Sequence, residues 1–356
     1  MKGNPVMKAT LFAVLATLWL IGPAQAAAPF QIRMSIDEDP IVPWLAESLG
    51  YLREEGVQIV RVKVEDFAAD DYLMQEPLIK GQIDVSYHWF NHTAFGARHN
   101  LPIKAVMVID DAPGMTIMVA NKQRASILSA ADFKGRHVAA GAAYGTKSVL
   151  TGFLARKAGL PPHSYTPVAL ETEGRQEAVI KGLQDGSVDV MTFQEPMTSA
   201  LLATGLVSPI LDFNSKAATV KTLGAAFPAQ SLLMAPSYIA AHPDAAQHLV
   251  NAFVKTMRFI NSHRPDEVIA RLPAVYFNGK DKAAEMDYIR KTFPCFAQGD
   301  FAVSPASAKL VLEMIEGWDF DKSEEGRWRA VAENKSVDPD SLYDNRFVKK
   351  AMAANP

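Results

Sequence analysis

Cysteine is all but absent: Cys295 is the only one in 356 residues. A single thiol rules out an intramolecular disulfide, so the fold must rest on its core. An excess of positive charge is missing as well. Lysine and arginine number 36 against 39 aspartates and glutamates, which argues against a nucleic-acid partner, since such partners call for a basic face. No H-E-x-x-H, G-x-S-x-G or phosphate-loop lysine motif occurs. His88, His137 and His163 lack metal-ligand spacing, so no metal and no cofactor is expected. Low-complexity tracts and short-period repeats are also missing. Beyond residue 26 no apolar run reaches the length of a membrane-spanning helix.

The first 26 residues stand apart from the rest. Lys2 and Lys8 give a basic start, Ala9–Ile21 is apolar, Gly22-Pro23 breaks the run, and Ala24-Gln25-Ala26 has the A-x-A form of a cleavage site. This pattern predicts a cleavable secretory signal peptide and a mature chain that starts at Ala27. Loss of Lys2 and Lys8 leaves 34 basic residues against 39 acidic ones, or −5 with histidine neutral. A soluble exported protein is expected.

Strand and helix patterns then alternate, which predicts an α/β fold. Gln31–Ile36, Val57–Val64, Ile83–Val85 and Ile103–Ile109 read as strands, with helical spacing in Val42–Leu52, Asp70–Lys80 and His92–His99. The segment from Asp110 to Gly114 breaks the pattern. A second set follows, from Thr116–Ala120 to Leu206–Asp212. Gln230–Ala235 reads as a strand that would pair with Thr116–Ala120, the two forming the crossings between two lobes. From Pro243 onward the pattern is mostly helical.

One passage occurs twice. Lys80–Phe95 (KGQIDVSYHWFNHTAF) and Lys181–Pro196 (KGLQDGSVDVMTFQEP) each run from a helix end through glycine into a strand with Asp84 or Asp189. Each then opens into a loop of bulky or charged groups. Ligands of open α/β sheets sit beyond the carboxyl ends of strands. The repeat therefore fits two similar lobes presenting strand ends to a ligand, and equally two ordinary connections within one sheet.

Five segments carry a family resemblance. They are Ser129–Arg136 (SAADFKGR), Gly81–Val85 (GQIDV), Leu183–Pro196, Leu52–Val57 (LREEGV) and Asp338–Lys349. In their order along the chain they resemble the periplasmic binding proteins of ABC importers for nitrate, aliphatic sulfonates, taurine and thiamine precursors. The resemblance implies a bilobal type II binding-protein fold with a two-strand hinge and a helical C-terminal region. Lobe 1 would comprise residues 27–115 and 228–350, and lobe 2 residues 116–227. It further implies a monomeric, periplasmic binder, not an enzyme, that hands a small solute to an ABC transporter permease.

The candidate ligand groups follow from strand ends and helix starts. Tyr144, Gly145 and Thr146 precede a helix whose free N–H groups suit an anion. In the family this turn faces the cleft, although simple N-capping also accounts for Thr146. Glu195 ends a lobe 2 strand and would hold a donor, or serve its own turn. In lobe 1, Asp37 lies beyond the first strand, and Tyr87, His88 and Trp89 beyond the third, with Trp44 as core or cleft wall. Rings offer area and a polar edge. This set predicts a sulfonate- or taurine-like solute, with a thiamine pyrimidine precursor or another aromatic heterocycle as the alternative. Bare nitrate fits poorly, because it has no donor for Glu195. Cys295, far in sequence from the cleft loops, is expected to be structural or idle.

Overall fold

The computed structural model describes residues 28–36, 40–63, 75–141, 145–168, 175–316 and 336–355. The expected signal peptide, Asp37 and Tyr144 lie outside the described residues.

The first lobe begins with β1 (Phe30–Ile36), α1 (Ile41–Ser48), α2 (Tyr51–Glu54), β2 (Val57–Val62) and α3 (Gln75–Ile79). It continues with β3 (Val85–Trp89), α4 (Asn91–Arg98) and β4 (Lys104–Val108). The second lobe holds β5 (Met115–Ala120), β6 (His137–Ala139), α5 (Thr146–Lys157), β7 (Thr166–Pro167), α6 (Arg175–Asp185), β8 (Val190–Gln194), α7 (Met197–Ala203), β9 (Val207–Asp212) and α8 (Lys216–Leu223). The chain then returns through β10 (Gln230–Met234) and the helices α9 (Pro236–Ala241), α10 (Pro243–Ser262), α11 (Pro265–Ile269), α12 (Lys282–Thr292), α13 (Pro305–Glu316) and α14 (Arg346–Ala354).

The strands form two five-stranded sheets, ordered β2-β1-β3-β10-β4 and β7-β6-β8-β5-β9. Their topology is the same. In each, three parallel strands are followed by one antiparallel strand and a last strand beyond it. The passage noted twice in the sequence supplies the third strand of both, β3 and β8. Its glycines, Gly81 at φ 66° and Gly186 at φ 86°, make the turn that a side chain would strain. Its aspartates tie the strand to its neighbour. Asp84 Oδ2 accepts the backbone N–H of Arg33 at 2.8 Å. Asp189 Oδ2 accepts that of His137 at 2.9 Å.

The expected pairing of β5 with β10 does not form. Each of these strands completes the sheet of its own lobe instead. A run of apolar residues suits the interior of any sheet and does not name its partner. The two crossings do pair, but just outside those strands. Ile109 and Asp110 donate their N–H groups to the Gln230 carbonyl at 2.8 and 3.1 Å, and Ala229 donates to the Asp110 carbonyl at 2.7 Å.

Strand alternation divides the second lobe's core. Ile117, Val119, Val138 and Val190 face α5 and the core continuous with the first lobe. Met118, Ala120, Ala139, Met191 and Phe193 face a separate cluster with residues of α6 and α7. In the first lobe, the buried face of α10 (Leu249, Val250, Phe253, Val254, Met257 and Ile260) packs on α1 and α14. Burying such side chains contributes roughly 1.5–3 kcal/mol each.

Candidate functional site

The carboxyl ends of β3 and β8 meet at a cleft with about 760 Å³ of empty space, its open mouth included. Five parts of the chain line it. β3 provides Tyr87 and Trp89; the end of β8 provides Gln194 and Glu195; the crossings provide Asp110, Ala112, Pro113, Gly114, Ala229 and Gln230. The start of α1 adds Pro40 and Ile41. The C-terminal helical region adds Tyr276, Tyr288, Ile289, Thr292, Cys295 and Phe296.

Tyr87, His88 and Trp89, expected in a loop beyond the third strand, lie within β3, whose ladder with β10 runs on to Trp89, and alternation along it sorts them. Tyr87 and Trp89 share the cleft face, and His88 points to the other one. His88 is buried there with its ring centroid 4.4 Å from that of His92. Burial pushes its pKa down from 6.5 to about 4, so the imidazole is neutral. His88 is therefore a core residue and not a cleft donor. Trp44 stands one layer back. Its ring lies 3.9 Å beneath the Arg61 guanidinium and meets Tyr276 edge-on, with centroids 6.2 Å apart. Tyr276, which does line the cleft, donates its hydroxyl to Glu285.

Gly145 and Thr146 lie apart from this lining. Thr146 begins α5, is buried, and donates its hydroxyl to Asn91 Oδ1 of α4 at 3.1 Å. The hydroxyl expected to meet an anion thus joins the two lobes. Glu195 faces the cleft with one oxygen within a long 3.4 Å of the Ser199 N–H, so it also serves its own turn weakly. Ser199 in turn accepts a hydrogen bond from Lys291 of α12 at 2.8 Å, a second tie between the lobes.

Cys295, expected to be structural or idle, belongs to the cleft wall despite its distance in sequence. The backbone brings it there. Asp111 donates its N–H to the Cys295 carbonyl at 3.0 Å, and Ala297 donates to the Ile109 carbonyl at 2.7 Å. Its Sγ lies 3.3 Å from the position a Cβ would take on Gly114, so the crossing needs glycine there. Burial, reinforced by Asp110, Asp111 and Asp212, raises the thiol pKa. A thiol held protonated is a poor nucleophile.

Asp110, Gln194, Gln230, Tyr276 and Tyr288 escaped sequence reasoning. The break at Asp110 to Gly114 was the available signal for the first. The tyrosines come from helical segments with no strand end near them. Asp110 Oδ1 and Gln230 Oε1 are buried and receive no hydrogen bond among the described residues. The cleft lining named above contains no lysine, arginine or histidine, while two carboxylates and two amides face it. Electrostatically it is an acceptor site walled by rings.

The family model described as NMT1/THI5 like matches residues 41–268. No curated protein sequence matches the chain. Among solved structures, the periplasmic aliphatic sulphonate binding protein SsuA from Escherichia coli is similar at 23% identity and TM-score 0.60, over 80% of this chain and 89% of that one. The periplasmic nitrate-binding protein NrtA from Synechocystis PCC 6803 aligns at 12% identity and TM-score 0.60, over 92% and 89%. The desulfurization enzyme DszB aligns at 13% identity and TM-score 0.59, over 92% and 100%. At these identities the likeness is one of fold, shared by binding proteins and an enzyme.

Proposed function

Since the chain belongs to the NMT1/THI5-like family, we propose that it is the solute-binding component of an ABC importer, and that its cleft takes a flat organic solute rich in N–H donors or carrying positive charge. Sulfonate- and nitrate-binding proteins of the same fold support the transport role. The observation that carries the ligand class is the cleft lining. Glu195, Asp110, Gln194 and Gln230 offer acceptors, Tyr87, Trp89, Tyr276 and Tyr288 offer rings, and no basic side chain stands among them. An anion there would meet the Glu195 carboxylate and no basic side chain in the lining, Lys291 being held behind Glu195 by Ser199 and Asp287. The aromatic heterocycle is thus favoured over a sulfonate. Taurine's ammonium suits Glu195, but its sulfonate would need the α5 start, where Thr146 is engaged by Asn91.

In this reading the protein is a periplasmic monomer that begins at Ala27. Residues 27–115 and 228–350 form one lobe, 116–227 the other, and the pair delivers the solute to a permease. Catalysis is not part of it, because Cys295, the one nucleophile in the lining of the kind sulfur chemistry would use, is held as the thiol. No helix among the described residues is long and apolar enough to cross a membrane.

The test is calorimetry on protein recovered from the periplasm and sequenced at its N-terminus. Its titrants are a thiamine pyrimidine precursor, taurine and an alkyl sulfonate. The heterocycle is expected to bind most tightly, and Glu195→Gln to weaken it about 10- to 150-fold by removing a charge-assisted bond of roughly 1.5–3 kcal/mol. Tighter binding of the sulfonate, or improved binding by the variant, would sink this ligand class.

A further inference from the structure

We propose that Asp110 is a direct ligand contact that exchanges its proton for a cationic N–H group of the solute, so that binding of such a solute releases one proton. The inference rests on the donor-rich, cationic reading of the cleft above. It starts from an asymmetry between neighbouring carboxyl groups. Asp111 is matched at one oxygen: Oδ2 lies 2.8 Å from Lys216 Nζ and 3.4 Å from the Gln298 N–H, while Oδ1 is buried without a hydrogen bond among the described residues. Asp110 is not matched. Its backbone is clamped on both sides by the second crossing, through Gln230 and Ala229. Its side chain lines the cleft with Oδ1 buried and unbonded, and Gln230 Oε1 lines the same cleft in the same condition. Two residues that line one cavity and each keep an unbonded acceptor just beneath its wall form a socket for a donor once a ligand displaces them slightly.

The charged and titratable surroundings decide the form in which Asp110 waits. Asp111 adjoins it and carries the Lys216 ion pair. Cys295 faces it from the C-terminal region, and Asp212 acts on the same thiol. Glu195, Tyr87, Tyr276 and Tyr288 face the same cavity. Burial, with Asp111 adding to it, raises the Asp110 pKa from 3.8 to about 8, so the empty cleft holds a neutral carboxyl group at neutral pH. An arriving cation replaces that proton. The O–H bond breaks, the proton leaves to solvent, and the carboxylate accepts from the ligand N–H. The charge of the cavity is the same before and after, so the desolvation penalty of an added charge is avoided.

Benzamidine is the probe, because its amidinium is flat, donates N–H bonds and stays charged across the range used. Its affinity is measured by calorimetry near pH 6 and near pH 8, each in two buffers of different ionisation enthalpy, which counts protons. With a carboxyl titrating near 8, affinity should rise about fiftyfold between those conditions, with about one proton released at the lower pH. Asp110→Asn should flatten the pH dependence and abolish the proton release. Glu195→Gln should weaken binding at both pH values and keep the slope. Binding by the wild type that is flat in pH and releases no proton overturns the role of Asp110 and leaves the donor-rich cleft standing. So does a wild-type slope in Asp110→Asn. Absence of benzamidine binding at both pH values overturns both.

Discussion

Three buried titratable residues, His88, His92 and Asp110, answer to one rule, the cost of a charge in a low-dielectric site. His88 and His92 give up their protons early: burial lowers His88 from 6.5 to about 4, and burial together with His88 holds His92 well below 6.5. Across that window the unfolded chain binds more protons than the folded one, so stability rises with pH from about 4 to 6.5. Asp110 acts the opposite way. Its carboxyl, raised from 3.8 to about 8, keeps a proton that the unfolded chain has lost, so its contribution declines as pH rises between those values. Above 6.5 the histidines have finished titrating and Asp110 still has not. Thermal melts of the ligand-free protein should therefore show a maximum near pH 6.5, set by the histidines below and Asp110 above. Asp110→Asn should remove the fall on the alkaline side and leave the acid side intact; a wild-type curve still rising toward pH 8 would contradict this assignment. The same residues show what the sequence can tell. Tyr87, Trp89 and Glu195 were legible as strand-end groups, and the structure sets them on the cleft wall. His88 was misread because strand ends were weighed without strand alternation. Tyr276 and Cys295 were illegible, because a side chain reaching a cleft from a distant helical region leaves no local pattern.

At the scale of elements, the repeated passage was the most informative part of the sequence, and the reason is mechanical. β3 and β8 hold the same place in their sheets, and each is fastened by an aspartate to the backbone of the strand beside it. Asp84 adds a two-pronged pair with the Arg33 guanidinium, at 2.6 and 3.1 Å. Asp189 has only the weaker approach of His137 Nδ1, at 3.4 Å. The backbone bond is the shared part. Asp84→Ala and Asp189→Ala should each cost about 1.5–3 kcal/mol in urea unfolding, as expected for a hydrogen bond to a charged acceptor at a part-buried site. The Arg33 side chain is half exposed, so its pair should add little to the first value. A loss below about 0.5 kcal/mol at both positions would show that the aspartates do not fasten the strands. The strands themselves were legible from apolar runs. The partner of β10 was not, since two antiparallel insertions with similar apolar content differ only in the sheet each finishes.

At the scale of the whole molecule, the lobes touch through side chains that belong to neither crossing. Thr146 meets Asn91, Lys291 meets Ser199, and Arg156 donates to the Met314 carbonyl at 2.8 Å. Closure by a hinge would make and break such bonds while each sheet keeps its own. Thr146→Val removes one of them without altering the cleft lining. Its expected effect is a larger radius of gyration in solution scattering and solute affinity a few-fold weaker, matching a neutral hydrogen bond of about 1 kcal/mol. An unchanged radius with and without solute, in the wild type, would remove hinge closure from the mechanism.

The placement of β10 also dictates an order of events for a chain that emerges from its N-terminus. β3 and β4 have no bonds to each other; both are joined through β10. Until Gln230–Met234 has emerged, the first sheet is a three-stranded piece and a detached strand, separated by a one-strand gap. The second sheet, by contrast, draws all of its strands from Met115 to Asp212 and is complete earlier. The lobe that starts second is thus the lobe that finishes first, and as the chain emerges the older half waits with an open edge for a strand that the younger half must first let past.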